Sequence, residues 1–423
     1  MIKAKIKNIL AYEVLTSSGQ ATLEVKVVGD NKLSASVAFP FDNYQAPFSS
    51  KDQIDNDPER FKGFGRLNSL RLVEEQVLPQ LLDVDIFSQI EIDEKLNKLN
   101  QGDKQLLGPA VVFCISLACA KLAALTSGQE LFVYLQELYK LEPADKKKLP
   151  LPVFNLFNGG DTGDTNLDFQ EFLLFPKREM ISEIIKKGSE VFLELADVLK
   201  EAGLDTDTGQ EGGYAPEIDS SIEAIELMLS AIIRRGYQPG VDFSLGIDIG
   251  SSILYDRIAG KYLFSLDRNY LSSLDMSSLY EEWLSRYPLV YLEDPFNELD
   301  WDSWQLLNNR LGQKLLIAGD DMLSSNINRL REAVNKNAFN TVVLKPAKAG
   351  TLTDSIEYAK LVKEYGYKLV VSALNHETSD NYLSDLAVVY GAQYLKAGSL
   401  SRGERVEKYN RLAEIERNLI NSK

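Results

Sequence analysis

From Leu151 onward the chain repeats one unit, and that repetition constrains its fold more than any other feature. Short apolar runs rich in β-branched and aromatic residues alternate with amphipathic helical stretches. The runs are Leu151–Asn155, Glu171–Phe175, Phe243–Asp248, Leu289–Glu293, Leu315–Asp320, Thr341–Lys345, Lys368–Ser372 and Gln393–Lys396. Eight such runs predict a closed barrel. The ends at Asp248, Glu293, Asp320, Lys345, Ser372 and Lys396 are separated by 45, 27, 25, 27 and 24 residues, room each time for a helix that returns the chain to a parallel strand. One such helix is the stripe Ile184, Ile185, Gly188, Val191, Phe192, Leu195, Val198 and Leu199, ended by Gly203.

Five of these ends are ionisable: Asp248, Glu293, Asp320, Lys345 and Lys396. In a parallel barrel all strand C-termini meet on the face that carries chemistry. A single polar run end only marks where a strand leaves the core, but three acids followed by two lysines form a pattern. Carboxylates gathered at one mouth repel each other unless a cation sits between them. Oxygen ligands alone, in a chain whose single histidine is His376, select magnesium over zinc. Burial, the metal and Lys396 are each expected to depress the pKa of Lys345 and leave it a neutral base. Such a base beside a Lewis-acid metal removes a proton α to a carboxylate.

Before the barrel, Ala11–Val28 alternates with period two around Ser17–Gln20, which predicts a β-hairpin. Leu67, Leu70, Val73 and Val77 have helix-face spacing, and a nearly all-apolar buried helix is predicted over Pro109–Ala124. The proline- and lysine-rich stretch Leu141–Pro152 reads as a linker. An α+β domain over 1–138 and a barrel domain over 149–423 follow. A net charge of −16 argues against nucleic acid as a partner. Cys114 and Cys119 lie inside the apolar run and read as core residues. Apolar stretches such as Ala110–Ile115 are too short to span a bilayer, and the first residues lack the apolar core of a signal peptide, so no membrane and a cytoplasmic location are expected.

Six motifs in order, over nearly the whole chain, resemble the enolase (phosphopyruvate hydratase) family. They are Asn158–Asp161 with Asp168–Phe172, Gly209–Pro216, Tyr291–Phe296, Ala318–Asp321, Val343–Lys345 and Leu395–Arg402. The resemblance implies an α/β fold, an enolase-type eight-stranded αβ (TIM-like) barrel with an N-terminal α+β domain, and a homodimer. It implies Mg2+ on Asp248, Glu293 and Asp320, with Lys345 taking the α-proton. Glu211, helped by Glu171, would protonate a leaving hydroxyl; Lys396 would bind the substrate near its carboxylate, and Gln170 would contact it. The chemistry known for that superfamily, a lysine or histidine base with one or two magnesium ions, is thus carried over from the resemblance.

Departures from the family pattern fall on phosphate binding. Ser18 stands where the family has arginine, Thr162 where it has a substrate-loop histidine, and Gln210 where it has aspartate. The serine lid is here Ala38–Ser50, and the histidine-arginine-serine run after the seventh strand is Ser372–His376. A buried arginine-phosphate pair contributes about 2–5 kcal/mol, so its loss weakens phosphate binding roughly 30-fold to a few thousand-fold. Lys348, where the family usually has glutamine, is either a replacement cation or a solvated loop lysine. His376 either lines the pocket or decorates the surface, and Asn375 has the donors and acceptors to meet a substrate oxygen.

The favoured expectation is a magnesium-dependent lyase acting on a small carboxylate that differs from 2-phosphoglycerate at its phosphate. A catalytically silent enolase-like protein with a binding or assembly role is the alternative from another class. An aldolase with a Schiff base on Lys345 is a third, less suited to three carboxylates on neighbouring strands.

Overall fold

The computed structural model describes residues 3–42, 46, 48–100, 106–266 and 269–421. Part of the expected lid, Asn43–Gln45 and Pro47, lies outside the described residues, as do the first two positions and the last two.

The N-terminal domain begins with β1 (Ile6–Leu15), β2 (Ala21–Gly29) and β3 (Ser34–Ala38), an antiparallel sheet whose first hairpin turns at Thr16–Gln20. Period-two patterning decides which face is buried: Leu23, Val25 and Val27 point inward. They meet the helix Gly108–Ser127, which runs three residues beyond its expected end to Gly128, a left-handed cap. By length and composition this 20-residue helix would pass for a membrane span, against the expectation that no stretch was long enough. Its apolar surface is instead covered by protein: nearly every residue from Ala110 to Ala124 is buried, Cys114 and Cys119 among them. The helical stretch from Leu67 to Leu81 contains a π-turn at Val73–Val77, where the Leu78 N–H bonds the Val73 carbonyl just before Pro79.

The predicted linker is shorter than expected, because Leu151 and Pro152 already belong to the barrel. Its strands are β4 (Leu151–Asn158), β5 (Glu171–Pro176) and β6 (Phe243–Asp248), followed after an excursion by five more. The excursion is a small antiparallel sheet, β7 (Tyr255–Asp256), β8 (Lys261–Phe264) and β9 (Asn269–Leu271), which the sequence pattern does not separate from its surroundings. Then come β10 (Leu289–Glu293), β11 (Leu316–Gly319), β12 (Thr341–Leu344), β13 (Lys368–Ser372) and β14 (Tyr394–Lys396). Among the described residues, β4–β6 and β10–β14 close a barrel of eight strands.

One expectation fails here. The barrel is not all parallel: β5 runs antiparallel to both β4 and β6. The loop from Gly159 to Gln170 has no helix long enough to carry the chain back to the far end, so β5 returns as a hairpin. The reversal puts the first residue of β5, Glu171, on the face where the parallel strands end.

Inside the barrel, Val153, Leu173, Phe175, Tyr291, Ala318, Val343 and Val370 form a packed plug. Outside it, the helix Ile181–Glu201 lays its stripe on β4 so closely that a Cβ at Gly188 would overlap the Phe154 ring. Gly188→Ala gains about 1 kcal/mol of helix propensity but forces the ring aside, which costs about 1–3 kcal/mol. The expected outcome is a net loss of stability of up to about 2 kcal/mol in urea denaturation.

The N-terminal domain docks on the barrel mouth. Phe41 exchanges backbone hydrogen bonds with His376 in the loop after β13, at 2.9 and 3.1 Å, and the Ser17 N–H bonds the Glu377 carbonyl at 2.9 Å. Thr353 donates to the buried Asp93 from its N–H (3.0 Å) and its hydroxyl (2.6 Å). These contacts bring the residue after Phe41 over the strand ends.

Candidate active site

Register assembles the first part of the site. Glu171 pairs with Asp248 across β5 and β6, and Asp248 pairs with Glu293 across β6 and β10. Three carboxylates therefore stand side by side, and Lys396, at the end of β14, reaches all of them. Its Nζ lies 2.8 Å from Asp248 Oδ2, 2.8 Å from Glu293 Oε2 and 3.2 Å from Glu171 Oε2. From the barrel interior the Tyr291 hydroxyl donates to Glu293 Oε2 at 2.5 Å. Burial and the charge of Asp248 push Glu293 up to about 8.

The second part centres on a residue that sequence reasoning missed. Asp42, just after Phe41, is buried against Lys345 Nζ (3.4 Å), Lys348 Nζ (2.5 Å) and the Asn375 N–H (2.7 Å). Burial alone would raise its pKa, but the two lysines outweigh it and hold the carboxyl well below its ordinary range. Lys345 also pairs with Asp320 at 2.7 Å. Among the protein's own groups, burial works downward on Lys345, but Asp320 and Asp42 raise it well above its ordinary value, opposite to the effect expected of burial and Lys396. Lys348 is not a solvated loop lysine, since its side chain is 15% exposed and paired with Asp42. His376 is not surface decoration either. It is buried against the Phe41 ring, its Nδ1 is 2.5 Å from Ser18 Oγ, and burial lowers its pKa.

The third part is the loop Gly209–Pro216. Its path requires glycine at 212, where φ is +88° and a Cβ would meet Ser401 Oγ at 2.6 Å. Asn158 Oδ1 accepts the Gly213 N–H and the Glu211 carbonyl accepts the Ser399 N–H, which turns the Glu211 carboxyl inward. Glu211 and Glu171 form a tightly interacting buried pair. Burial and the charge of Glu211 raise Glu171 strongly; burial also works to raise Glu211, but the hydrogen bond from Glu171 and the charge of Arg405 keep it low. The two titrate as a pair, and the opposite directions of their shifts favour a proton on Glu171.

The cavity enclosed by these parts has a volume of about 30 Å³ and is lined by Gln170, Glu171, Glu211, Asp248, Asp320, Lys345, Asn375 and Lys396, together with Asp42 and Asp321. Of the other two expected site residues, Glu293 lies beneath it and Lys348 behind Asp42. Thr162 also borders the cavity, but its hydroxyl is occupied in holding the loop, donating to the Gly159 carbonyl and accepting from Asn158 Nδ2.

Two family models match the chain, one described as the enolase N-terminal domain over residues 6–135 and one as the enolase C-terminal TIM barrel domain over residues 146–423. The chain belongs to the enolase family. Enolase-family domains generally bind Mg2+, and the residues here fit such an ion. Six carboxylates and two lysines line the cavity, and Glu293 Oε1 is buried without a hydrogen-bond partner among the described residues. All-carboxylate oxygen donors suit a hard divalent cation.

The tightest acidic cluster among the described residues is Asp294, Asp320 and Asp321, which shares only Asp320 with the expected ligands. Asp294 is committed to the backbone: its two oxygens accept the N–H groups of Asp320 (3.0 Å) and Asp321 (2.8 Å). Asp294 thus shapes the turn that presents Asp320, and burial with the charge of Asp320 raises Asp321 to about 7.

Proposed function

We propose that this enolase-family chain is a magnesium-dependent lyase that removes a proton α to a carboxylate and expels a β-hydroxyl. The observation that carries this reading is that a lysine, Lys345, and a proton-holding carboxyl pair, Glu171 with Glu211, line one cavity. Elimination needs a base for the α-proton and an acid for the leaving group at once. Lys345 Nζ takes the α-proton, the C–O bond at the β-carbon breaks as the carbon–carbon double bond forms, and the hydroxyl leaves as water with a proton from the glutamate pair. Lys396 holds positive charge at the strand ends, where the substrate carboxylate binds. Asp248, Glu293 and Asp320 would hold magnesium, which would supply Lewis acidity toward that carboxylate. Gln170 and Asn375 orient the substrate from the rim.

A second reading, a silent member with a binding or assembly role, draws on the ion pairs that tie up both lysines and on the small cavity. One experiment separates the two. With magnesium and a 3-hydroxycarboxylate in deuterated water, proton NMR is expected to show loss of the α-proton signal catalysed by the protein. Absence of exchange with every acid tried, together with no magnesium binding at millimolar concentration, would leave the silent reading standing.

A further inference from the structure

We infer that the substrate of this site carries an apolar substituent, aryl or branched alkyl, on its α-carbon in place of a phosphate. This rests on the lyase reading above. The geometry behind it is a second cavity of about 300 Å³ that shares Asp42 as a wall with the carboxylate-lined one. That volume is at the lower end of the range of small-molecule pockets.

The walls of this chamber are Phe39, Phe41, Phe64 and Leu374. Phe41 stacks on Phe64 with ring centroids 6.3 Å apart, so two of the rings present one continuous apolar surface. Its charged residues come in opposite pairs. Lys348 is bound to Asp42 at 2.5 Å, and the buried Arg66 is bound to Asp52 and lies over the Phe41 ring at 5.7 Å. A dianionic phosphate entering here would meet two carboxylates and would have to break an ion pair to reach either cation. A hydrocarbon group breaks neither pair and removes apolar surface from water.

Position fits the same occupant. Leu374 of the chamber and Asn375 of the catalytic cavity are adjacent in the chain, and Lys345 of the cavity and Lys348 of the chamber both pair with Asp42 Oδ2. A substituent reaching the chamber from the carboxylate-lined cavity would have to move past Asp42, the wall that the two share. Ser49 Oγ, buried there without a hydrogen-bond partner among the described residues, can meet one polar atom on it. The reaction is then the conversion of a 2-substituted 3-hydroxypropanoate into water and the 2-substituted propenoate, with no change of oxidation state overall.

The test is a calorimetric titration of the full chain, with magnesium, by 3-hydroxypropanoates carrying hydrogen, methyl, isobutyl or phenyl at C2 and by 2-phosphoglycerate, with α-proton exchange followed on the same samples. Affinity is expected to rise roughly fourfold for each buried methylene equivalent. 2-Phosphoglycerate is expected to bind at least about 10-fold more weakly than the phenyl acid, because its charge opposes Asp42 and Asp52. Phe64→Trp, which fills the chamber, should move the preference to the smaller acids, and Phe64→Ala should move it to the larger. A flat series, or tighter binding of 2-phosphoglycerate, would overturn the inference. If exchange then occurs with the unsubstituted acid, the lyase reading survives without it. Size-dependent binding that follows the Phe64 variants but brings no exchange supports the chamber and overturns the lyase reading.

Discussion

Lys345→Met is expected to lower α-proton exchange by about 10²–10⁴-fold, the range ascribed to a positioned general base. Methionine keeps most of the volume of the side chain and removes the amine. Because Asp320 and Asp42 raise the pKa of Lys345, exchange by the wild type should rise with pH. The variant should lose both the rate and that pH dependence. A structural role alone would behave differently: Lys345→Arg preserves the charge between Asp42 and Asp320, so it should restore stability but not exchange. Exchange kinetics of the two variants by NMR, with circular dichroism as the check on folding, decide the matter. Exchange within threefold of wild type in Lys345→Met would remove this residue from the mechanism.

Lys396→Met should produce the largest loss of stability. Its ammonium is buried and lies within 3.2 Å of three carboxylates, so removal leaves Asp248, Glu293 and Glu171 facing one another without a counter-charge. Breaking a buried ion pair from one side typically costs about 3–5 kcal/mol. Urea denaturation in the presence of a chelator should register that loss, and magnesium should restore part of it by linkage if the ion binds between the same carboxylates. The pH dependence has a definite sign. Glu293 is raised from 4.5 to about 8 in the fold by burial and by Asp248, so it favours the folded state below about pH 4.5, and the advantage disappears as pH rises to about 8. The deficit of Lys396→Met against the wild type should therefore be greatest above about pH 8 and shrink on acidification. A deficit independent of pH would mean that lost packing dominates.

Much of the site is legible in the chain. Asp248, Glu293 and Lys396 close their runs, and the structure sets them in one ionic cluster because strands in register bring their ends to the same height. The nearly all-apolar helix from Gly108 is legible as a helix kept away from water, although only the packing shows that protein covers it. Glu171 could be found only through family resemblance. A residue at the start of a strand reaches the mouth only if that strand runs backward, and no local pattern announces the direction of a strand.

The order of residues carries the architecture of repeated strands and helices and the supply of acids and lysines at the strand ends, since periodicity and run boundaries are local properties. The partners of each charged group and the shape of the pocket depend on contacts between distant segments. Lys345 looked like a neutral base when its neighbours were counted as a metal and a lysine, but its nearest partners in space are the carboxylates of Asp320 and Asp42, which raise its pKa. Asp42 is about 300 residues away in the chain and comes within 3.4 Å only because Phe41 pairs with His376. Electrostatic energy depends on separation in space and on burial, and neither is written in the order of residues.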